Sequence, residues 1–326
     1  MTSSPGAIYH VPVLTGEVVD LLRSAKTVLD GTLGGGGHSE ALLESGVQRL
    51  VGIDRDPEAL ATARNRLGRF EVAGRFRALR SNYADIDSLP ELRDERFDGI
   101  LLDLGVSSHQ FDDSARGFTF REAAPLDMRM GSSGGDADDG ETAADLLNHS
   151  DERGLAALFK NYGDEPPSRA ARLAREIVRR RAREPFATSD HLVRAIRGAL
   201  GPRTGPADFA RLFQALRIAV NDELDGLRRA LPTLRDRLNP GGVMAVITYH
   251  SGEDRIVKHA FREWSADCVC PPKQAVCTCR GRALGSTITR RGVVPSESEI
   301  TRNPRARSAK LRAWRKDGEV GSGRTK

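Results

Sequence analysis

The sequence predicts an α/β protein with a doubly wound, parallel sheet that is interrupted by an α-helical insertion. Three observations lead to this fold class. Short apolar runs alternate with helical spacing over the first hundred or so residues, which is typical of repeated β-α-β units. A Gly-rich turn follows the first apolar run. Between about residues 111 and 205 the pattern is helical, and no convincing strand is found.

Five buried strands are predicted in chain order. They are Lys26–Asp30, Arg49–Asp54, Arg75–Arg80, Phe97–Leu104 and Gly242–Tyr249. The fourth is an almost continuous apolar run, as expected for a strand covered on both faces. A turn at Asn239–Gly241 should precede the fifth, and shorter β-like pieces follow at Ser286–Arg290 and Ala309–Ala313.

Helical spacing accounts for most of the remaining chain. The predicted helices are His38–Ser45, Pro57–Leu67, Thr142–Leu147, Glu152–Tyr162, Ser168–Arg183, Ser189–Leu200, Ala207–Leu231 and Glu253–Trp264. The Gly/Ser/Asp-rich stretch 130–139 is predicted to be a loop. We therefore expect a main domain made of residues 1–112 and 206–326, and a helical insertion, 113–205, that recognises the substrate.

Composition narrows the class of protein. Hydrophobic residues make up 39% of the 326 residues and charged residues 29%, which fits a soluble globular protein. The formal net charge of +5 allows a polyanionic partner without requiring one. The longest apolar stretch, around Val243–Tyr249, is far shorter than the ~20 residues that cross a bilayer, and the first residues lack the pattern of a secretory signal. We expect a cytoplasmic protein without membrane contact.

The four cysteines all lie between positions 268 and 279, in the pattern C-x-C…C-x-C. Four thiolates can bind Zn²⁺, but this is not the common C-x₂-C spacing. A surface loop with free cysteines is the favoured interpretation, so no metal site is predicted. Metal analysis of the purified protein distinguishes the two.

A Gly-rich loop from Asp30 to His38 is the sharpest local feature. The run Gly34–Gly37 removes every Cβ, so that a ligand can approach the backbone closely. The helix behind it offers free N–H groups and a partial positive charge. Asp54 ends the next strand at the same sheet edge, where a carboxylate can accept both hydroxyls of a ribose. Together these features predict a nucleotide-like ligand.

Local chemistry favours S-adenosylmethionine as that ligand. There is no Walker-type motif, and the dinucleotide pattern G-x-G-x-x-G is met only loosely, because Ser39 or Glu40 stands where the third Gly belongs. Asp30 would repel a pyrophosphate but suits an amine and a sulfonium. This favours S-adenosylmethionine over NAD.

The fourth strand adds a third carboxylate to the same edge. Asp103 ends that strand, so Asp30, Asp54 and Asp103 should converge on one crevice. Gln110 can present an amide to it, and Tyr83, after the third strand, can lie against an adenine ring. The structural alternatives are a turn cap for Asp103 and a core tyrosine for Tyr83.

Seven motifs now carry a family resemblance. They are DGTLGGGGHS, GIDRDP, LLDLGVSSHQFDD, ARGFTF, PLDMRM, TYHSGEDRIVK and NPRARSAKLR. Together they resemble the 16S ribosomal RNA (cytosine-N4)-methyltransferases, the RsmH/MraW family, over nearly the whole chain. The resemblance implies a class I S-adenosylmethionine-dependent methyltransferase, Rossmann-like, with an inserted helical domain. It also implies methyl transfer to the N4 amine of cytosine 1402 in the decoding region of 16S rRNA, in the small ribosomal subunit.

The resemblance also implies a set of cofactor contacts. These are Gly36, Gly37, His38, Asp54, Tyr83, Asp103 and Gln110. His109 departs from the Pro of many relatives. The [DNS]-Pro-Pro-[aromatic] motif of many amino-methyltransferases is absent after the fourth strand, so the catalytic assignment cannot be taken from those enzymes.

The amine nitrogen of cytosine is a poor nucleophile because its lone pair is conjugated with the ring, and an enzyme can help by accepting its N–H bonds and aligning the reactants. The hypothesis gives this task to Asp103 or to the backbone of Gly105–Ser108. The base must leave its stack, and Pro125–Met130 and Tyr249–Arg255 are candidates to hold it. His250 is either an acid/base or a structural histidine.

Basic residues crowd the predicted helix Ser168–Arg183. They are Arg169, Arg172, Arg175, Arg179, Arg180, Arg181 and Arg183. They predict phosphate contacts with RNA, and a solvated helix face is the alternative. A second cluster, Arg302–Lys316, can extend the same footprint.

Three other functions stay open at this point. They are a NAD-linked oxidoreductase, a non-catalytic RNA-binding or assembly factor, and a methyltransferase acting on DNA or protein. The oligomeric state is also open, with a homodimer as one alternative.

Overall fold

The computed structural model describes residues 12–105, 114–131, 140–272, 274 and 276–318. The chain divides into two compact units: one combines Met1–Gly105 with Leu224–Lys326, and the other is Val106–Glu223. None of the helices among the described residues combines the length and apolar character needed to span a bilayer.

A seven-stranded sheet forms the centre of the first unit. Its strands are β1 (Thr27–Asp30), β2 (Arg49–Asp54), β3 (Phe76–Arg80), β4 (Phe97–Asp103), β5 (Leu238–Thr248), β6 (Gly285–Thr287) and β7 (Lys310–Lys316). The order is β3-β2-β1-β4-β5-β7-β6. The five adjacent strands β3, β2, β1, β4 and β5 are parallel to one another. Strand β7 is antiparallel to both β5 and β6. The predicted α/β class is confirmed, whereas the antiparallel pair at one side was not predicted.

Helices account for most of the rest of the described chain. They are α1 (Thr15–Leu22), α2 (Gly37–Glu44), α3 (Pro57–Val72), α4 (Ala143–His149), α5 (Glu152–Tyr162), α6 (Pro167–Arg181), α7 (Ser189–Leu200), α8 (Pro206–Val220), α9 (Glu223–Asp236), α10 (Ser251–Trp264) and α11 (Glu297–Arg302). Local signals explain the ends. For example, α3 begins where the Asp56 side chain accepts the N–H of Glu58 and Pro57 takes the first position.

Both faces of the sheet are covered. Successive side chains of β4 point to opposite faces, so Leu101 joins one core and Ile100 and Leu102 the other. Residues of α1, α2 and α3 complete the first core, and residues of α9 and α10 complete the second. This double covering explains why the central strands are nearly continuous apolar runs.

The second unit is helical and has its own core. Buried side chains of α4 to α8 form it, including Phe159, Leu173, Ile177 and Leu212. The buried carboxylate of Glu165 pairs with Arg169 at 2.7 Å and with Arg211 at 2.6 Å.

Two predicted elements differ from the structure. The single helix Ala207–Leu231 is two helices, because the chain turns at Asp222, whose φ is +50°. Helix α8 buries Phe209 and Phe213 in the core of the helical unit, so the division falls at residue 223 and not at 205. The predicted turn at Asn239–Gly241 is an irregularity inside β5, where the register against β4 shifts.

Candidate active site

Three acidic side chains lie at one edge of the sheet. Asp30, Asp54 and Asp103 are the last residues of β1, β2 and β4. These strands are parallel and adjacent, in the order β2-β1-β4, so their carboxyl ends share one rim. The structure therefore places the three residues at one edge of the sheet, although the Asp30 side chain is buried, and their joint role in a ligand crevice stays a prediction.

The Gly-rich loop crosses this rim between β1 and α2. Gly34 and Gly36 have left-handed φ angles of +51° and +78°, which favour glycine. Gly36 also packs closely, because a Cβ there would lie 3.1 Å from the Leu67 side chain. Gly36 caps α2 and provides no side-chain acceptor for the first turn, whose residues include Gly37 and His38. A helix start of this kind fits an anionic ligand group such as a carboxylate.

Asp54 connects the loop to β2. Its Oδ2 accepts the N–H of Gly34 at 2.8 Å and its Oδ1 accepts the N–H of Asp56 at 2.9 Å. Burial raises the pKa of Asp54 to about 6, although these hydrogen bonds oppose the shift. Each carboxylate oxygen has a second lone pair, so both can still accept a ligand hydroxyl.

Asp30 supports the loop from beneath. It is only 1% exposed, and its carboxylate accepts the Ser39 hydroxyl at 2.7 Å and the Thr32 N–H at 3.2 Å. Burial raises the pKa of Asp30. These contacts make Asp30 an internal support of the loop.

Asp103 lies among polar groups from three elements. Its Oδ1 accepts the Tyr249 hydroxyl at 2.9 Å, and its Oδ2 lies 3.6 Å from Nδ1 of His38. The other ring nitrogen of His38 lies 2.8 Å from the Val13 carbonyl oxygen, so that nitrogen carries the hydrogen. The backbone N–H of Asp103 donates to the Thr32 hydroxyl at 2.6 Å. The Asp103 side chain keeps 21% of its surface exposed.

Tyr83 follows β3 and lies beside the loop. It is half-buried, and a Cβ on Gly31 would lie 3.1 Å from the Tyr83 Cβ. Gln110 and the segment 106–108 lie outside the described residues. Of the seven predicted cofactor contacts, the structure thus places six on or beside the loop and the rim.

Sequence reasoning missed the partners that hold these residues. Thr32 and Ser39 bind Asp103 and Asp30, respectively, and Tyr249 binds Asp103. Tyr249 directly follows β5, whose end lies on the same rim next to β4. Its position after a predicted parallel strand was the available signal.

His250 lies at the start of α10, where its contacts are those of a helix cap, although its buried Nε2 has no hydrogen-bond partner among the described residues. It caps α10, its Nδ1 accepts the N–H of Gly252 at 3.2 Å, and its Nε2 points to Glu253 at 3.2 Å. Glu253 in turn accepts the N–H of Tyr249 at 2.8 Å. This capping box orients the chain immediately after β5.

A basic cavity of about 560 Å³ lies beyond the end of β5. Its lining includes Arg255, Lys258 and His259 from α10, all exposed, and Lys310. Asp254 lies there too, but Arg312 binds it through two hydrogen bonds of 2.6 and 3.0 Å. The cavity therefore presents mainly positive charge.

The arginines of α6 are largely engaged within the helical unit. Arg179 and Arg180 both bind Glu176, and Arg181 donates to two backbone carbonyls. Several arginines of the basic helix thus pair with groups of the same unit, although Arg179 stays 52% exposed, and their contact with RNA stays a prediction.

The strand order, the Gly-rich loop after β1 and the acidic residue ending β2 define a class I S-adenosylmethionine-dependent methyltransferase. The model of the MraW methylase family matches residues 7–317, and the chain belongs to that family. The resemblance seen in the motifs is thereby confirmed.

Curated relatives agree with the family assignment. Ribosomal RNA small subunit methyltransferase H of Gemmatimonas aurantiaca is 67% identical over 307 residues, or 94% of this chain and 95% of that protein. The proteins of the same name from Anaeromyxobacter sp. and Heliobacterium mobile are 49% and 47% identical, covering 95% and 94% of this chain and 99% of each relative. Among solved structures, a putative rRNA-methylase from Clostridium thermocellum is 12% identical, with a TM-score of 0.40 over 94% of this chain and 99% of that one.

Proposed function

We propose that this protein transfers a methyl group from S-adenosylmethionine to the N4 amine of cytosine 1402 in 16S rRNA. The substrate would be the small ribosomal subunit, in the cytoplasm. The names of the relatives support small-subunit rRNA as the substrate. The seven motifs, which resemble those of the (cytosine-N4)-methyltransferases, support the base and the atom.

The rim provides groups suited to each part of the cofactor. The uncapped first turn of α2, at Gly36, Gly37 and His38, suits its carboxylate. The Asp54 oxygens can accept the ribose hydroxyls, and Tyr83, half-buried beside the loop, is the proposed contact of the adenine ring. When bound, the cofactor supplies an electrophilic methyl group.

Asp103 is the proposed acceptor for the cytosine amine. Its Oδ1 accepts the Tyr249 hydroxyl. Because a carboxylate accepts several hydrogen bonds, we assign to it an N–H of the amine as well. Accepting that bond increases electron density on the nitrogen and fixes its direction, and both effects favour in-line attack. The observation that carries the proposal is this partly exposed carboxylate on the same rim as Asp54 and the Gly-rich loop.

The basic cavity beyond β5 is the proposed phosphate-binding surface. Its Arg255, Lys258 and Lys310 suit an RNA backbone. The role of the helical unit in substrate recognition stays a prediction.

Transfer of labelled methyl groups to purified small subunits tests the proposal. The subunits come from a strain that lacks the endogenous enzyme, and nucleoside analysis follows the reaction. We expect label in N4-methylcytidine at a single position. Label in another nucleoside, or in naked DNA or protein instead, would contradict the proposal.

A variant of Asp103 tests the acceptor separately. Asp103→Asn removes the negative charge and should lower turnover by about 10²- to 10⁴-fold. That loss should exceed any change in S-adenosylhomocysteine affinity measured by calorimetry. Asp225→Asn, at an exposed pair with Arg228 on α9, is the matched control. Full turnover of Asp103→Asn would exclude Asp103 as the acceptor.

A further inference from the structure

The four cysteine sulfur atoms converge on one point in the loop between α10 and β6. Sγ of Cys277 lies 3.8 Å from Cys268, 3.8 Å from Cys270 and 3.5 Å from Cys279. Cys279 and Cys268 are 3.8 Å apart, and all four sulfur atoms lie within 4.8 Å of one another.

These distances match a tetrahedral metal site. A Zn–S bond of about 2.3 Å implies sulfur–sulfur edges of about 3.8 Å in a regular tetrahedron. The one-residue spacing is compatible with this arrangement, since Cys277 and Cys279 direct both sulfur atoms to the same side.

The arrangement is not that of two disulfide pairs. In a pair, each sulfur has a single close partner at about 2.05 Å. Here Cys277 has three neighbours at similar distances, so the geometry selects no partner.

A backbone amide points at one of the same sulfur atoms. The N–H of Val269 donates to Sγ of Cys279 at 3.3 Å. Such outer contacts orient thiolate ligands and stabilise their negative charge.

Apart from the contacts among the cysteines, few apolar contacts of the described residues order the tip of this loop. Its base is tied to α10, because Leu284 donates to the Trp264 carbonyl at 2.7 Å and Arg280 donates to the carbonyl of Ala266 at 3.2 Å. At the tip, Val269 is 39% and Val276 71% exposed, so these side chains form no apolar core there. A loop of this length needs another source of order.

We propose that Cys268, Cys270, Cys277 and Cys279 bind one Zn²⁺ ion as a structural site that holds this loop. This proposal differs from the expectation of free cysteines made from the sequence. Four protein ligands complete the tetrahedron and leave no open position, as in structural zinc sites. The inference does not depend on the proposed methyl transfer.

Metal analysis of the full chain tests the site. We expect about one zinc per chain, by mass spectrometry, after purification under reducing conditions without chelator. Cobalt(II) loaded into the metal-free protein should show thiolate-to-metal charge transfer and the strong visible absorption of a tetrahedral ion. Cys277→Ser should weaken zinc affinity by roughly 100-fold or more in competition with a chelator of known affinity. Val276→Ser, in the same loop, should not.

The reactivity of the cysteine thiols provides a second test, which can contradict the proposed zinc site. Bound zinc should protect all four thiols from a thiol reagent, and a chelator should expose them. If the unmutated protein retains no zinc or cobalt after desalting and its thiols react equally fast with and without metal, the proposal is wrong. Two disulfides recovered under the same reducing conditions would also overturn it.

Discussion

Asp54 is a carboxylate whose two hydrogen bonds do not offset its burial. Its oxygens accept backbone N–H groups from Gly34 and Asp56, and still its pKa is raised to about 6. The protein therefore binds a proton at Asp54 more readily than an exposed aspartate does.

This shift predicts a pH dependence of cofactor affinity. The ionised carboxylate is the stronger acceptor for ribose hydroxyls, so affinity should be full above pH 6. It should fall by about tenfold per pH unit below pH 6, because binding then requires release of the proton. Calorimetry with S-adenosylhomocysteine between pH 5 and pH 7 measures this. Asp54→Asn should bind more weakly and lose the slope; an unchanged slope in that variant would assign the titration to another group.

Tyr249 predicts a positioning effect at Asp103. Burial, together with the Asp103 charge, raises the pKa of Tyr249 well above its ordinary value, so its hydroxyl remains a donor at neutral pH. Tyr249→Phe removes that donor and should lower kcat about 3- to 30-fold, with a stability loss of about 1 kcal/mol. KM for the cofactor should change little. Tyr162→Phe, in the helical unit, is the control, and equal kcat values for both variants would exclude the positioning role.

At this scale, strand ends could be predicted and tertiary partners could not. Asp54 and Asp103 are identifiable because each ends a buried apolar run, and parallel strands end at one edge. The Tyr249–Asp103 bond joins residues 146 positions apart, and only the pairing of β4 with β5 brings them together. The sequence around either residue does not indicate that the two side chains form a hydrogen bond.

At the scale of elements, the turn from β1 into α2 depends on backbone conformation as well as on the sheet. Gly36 has a φ of +78° and packs against α3, where Ala63 and Leu67 lie within 3.4 Å of the position a Cβ would take. The left-handed φ and the close packing each disfavour a side chain at position 36, whether or not a ligand is bound.

Gly36→Ala should therefore destabilise the protein by about 1–3 kcal/mol. Urea unfolding measures the change. Gly68→Ala is a matched control, because Gly68 lies inside α3 with no atom within 4 Å of a new Cβ. That variant should gain about 0.5–1 kcal/mol. Equal stability of the two variants would mean that the turn tolerates a side chain at position 36.

The helix boundary at Asp222 shows why one element was misjudged. Apolar spacing runs without interruption from α8 into α9, so periodicity predicts one helix. Asn221 breaks it through tertiary contacts: its side chain accepts the N–H of Met130 at 2.8 Å and donates to the carbonyl of Met128 at 2.7 Å. Residues 91 and 93 positions away thus contribute to where the helix ends.

At the scale of the whole molecule, charge is distributed unevenly. The arginines of α6 are largely paired, whereas Arg255 and Lys258 line the cavity beyond β5 with exposed side chains. The net charge of +5 alone does not distinguish α6 from the cavity beyond β5 as the proposed RNA-binding surface.

The salt dependence of RNA binding tests whether the cavity beyond β5 or the arginines of α6 contact the RNA. The double variant Arg255→Glu/Lys258→Glu should bind small-subunit RNA more weakly and reduce the slope of log affinity against log salt by about 2. Arg179→Glu/Arg180→Glu carries the same charge change on α6 and should alter the slope less. The reverse ranking, measured by filter binding, would place the RNA on the helical unit.

The order in which the sheet is completed follows from its interrupted chain. Strand β4 ends at Asp103, and its neighbour β5 begins only at Leu238, after the whole helical unit. Translation adds about 5–20 residues per second, so synthesis of β5 begins roughly 7–27 s after β4 is complete. The nascent protein thus carries an open, apolar strand edge on the ribosome for that time, and a slow codon between the two strands would prolong its exposure to aggregation.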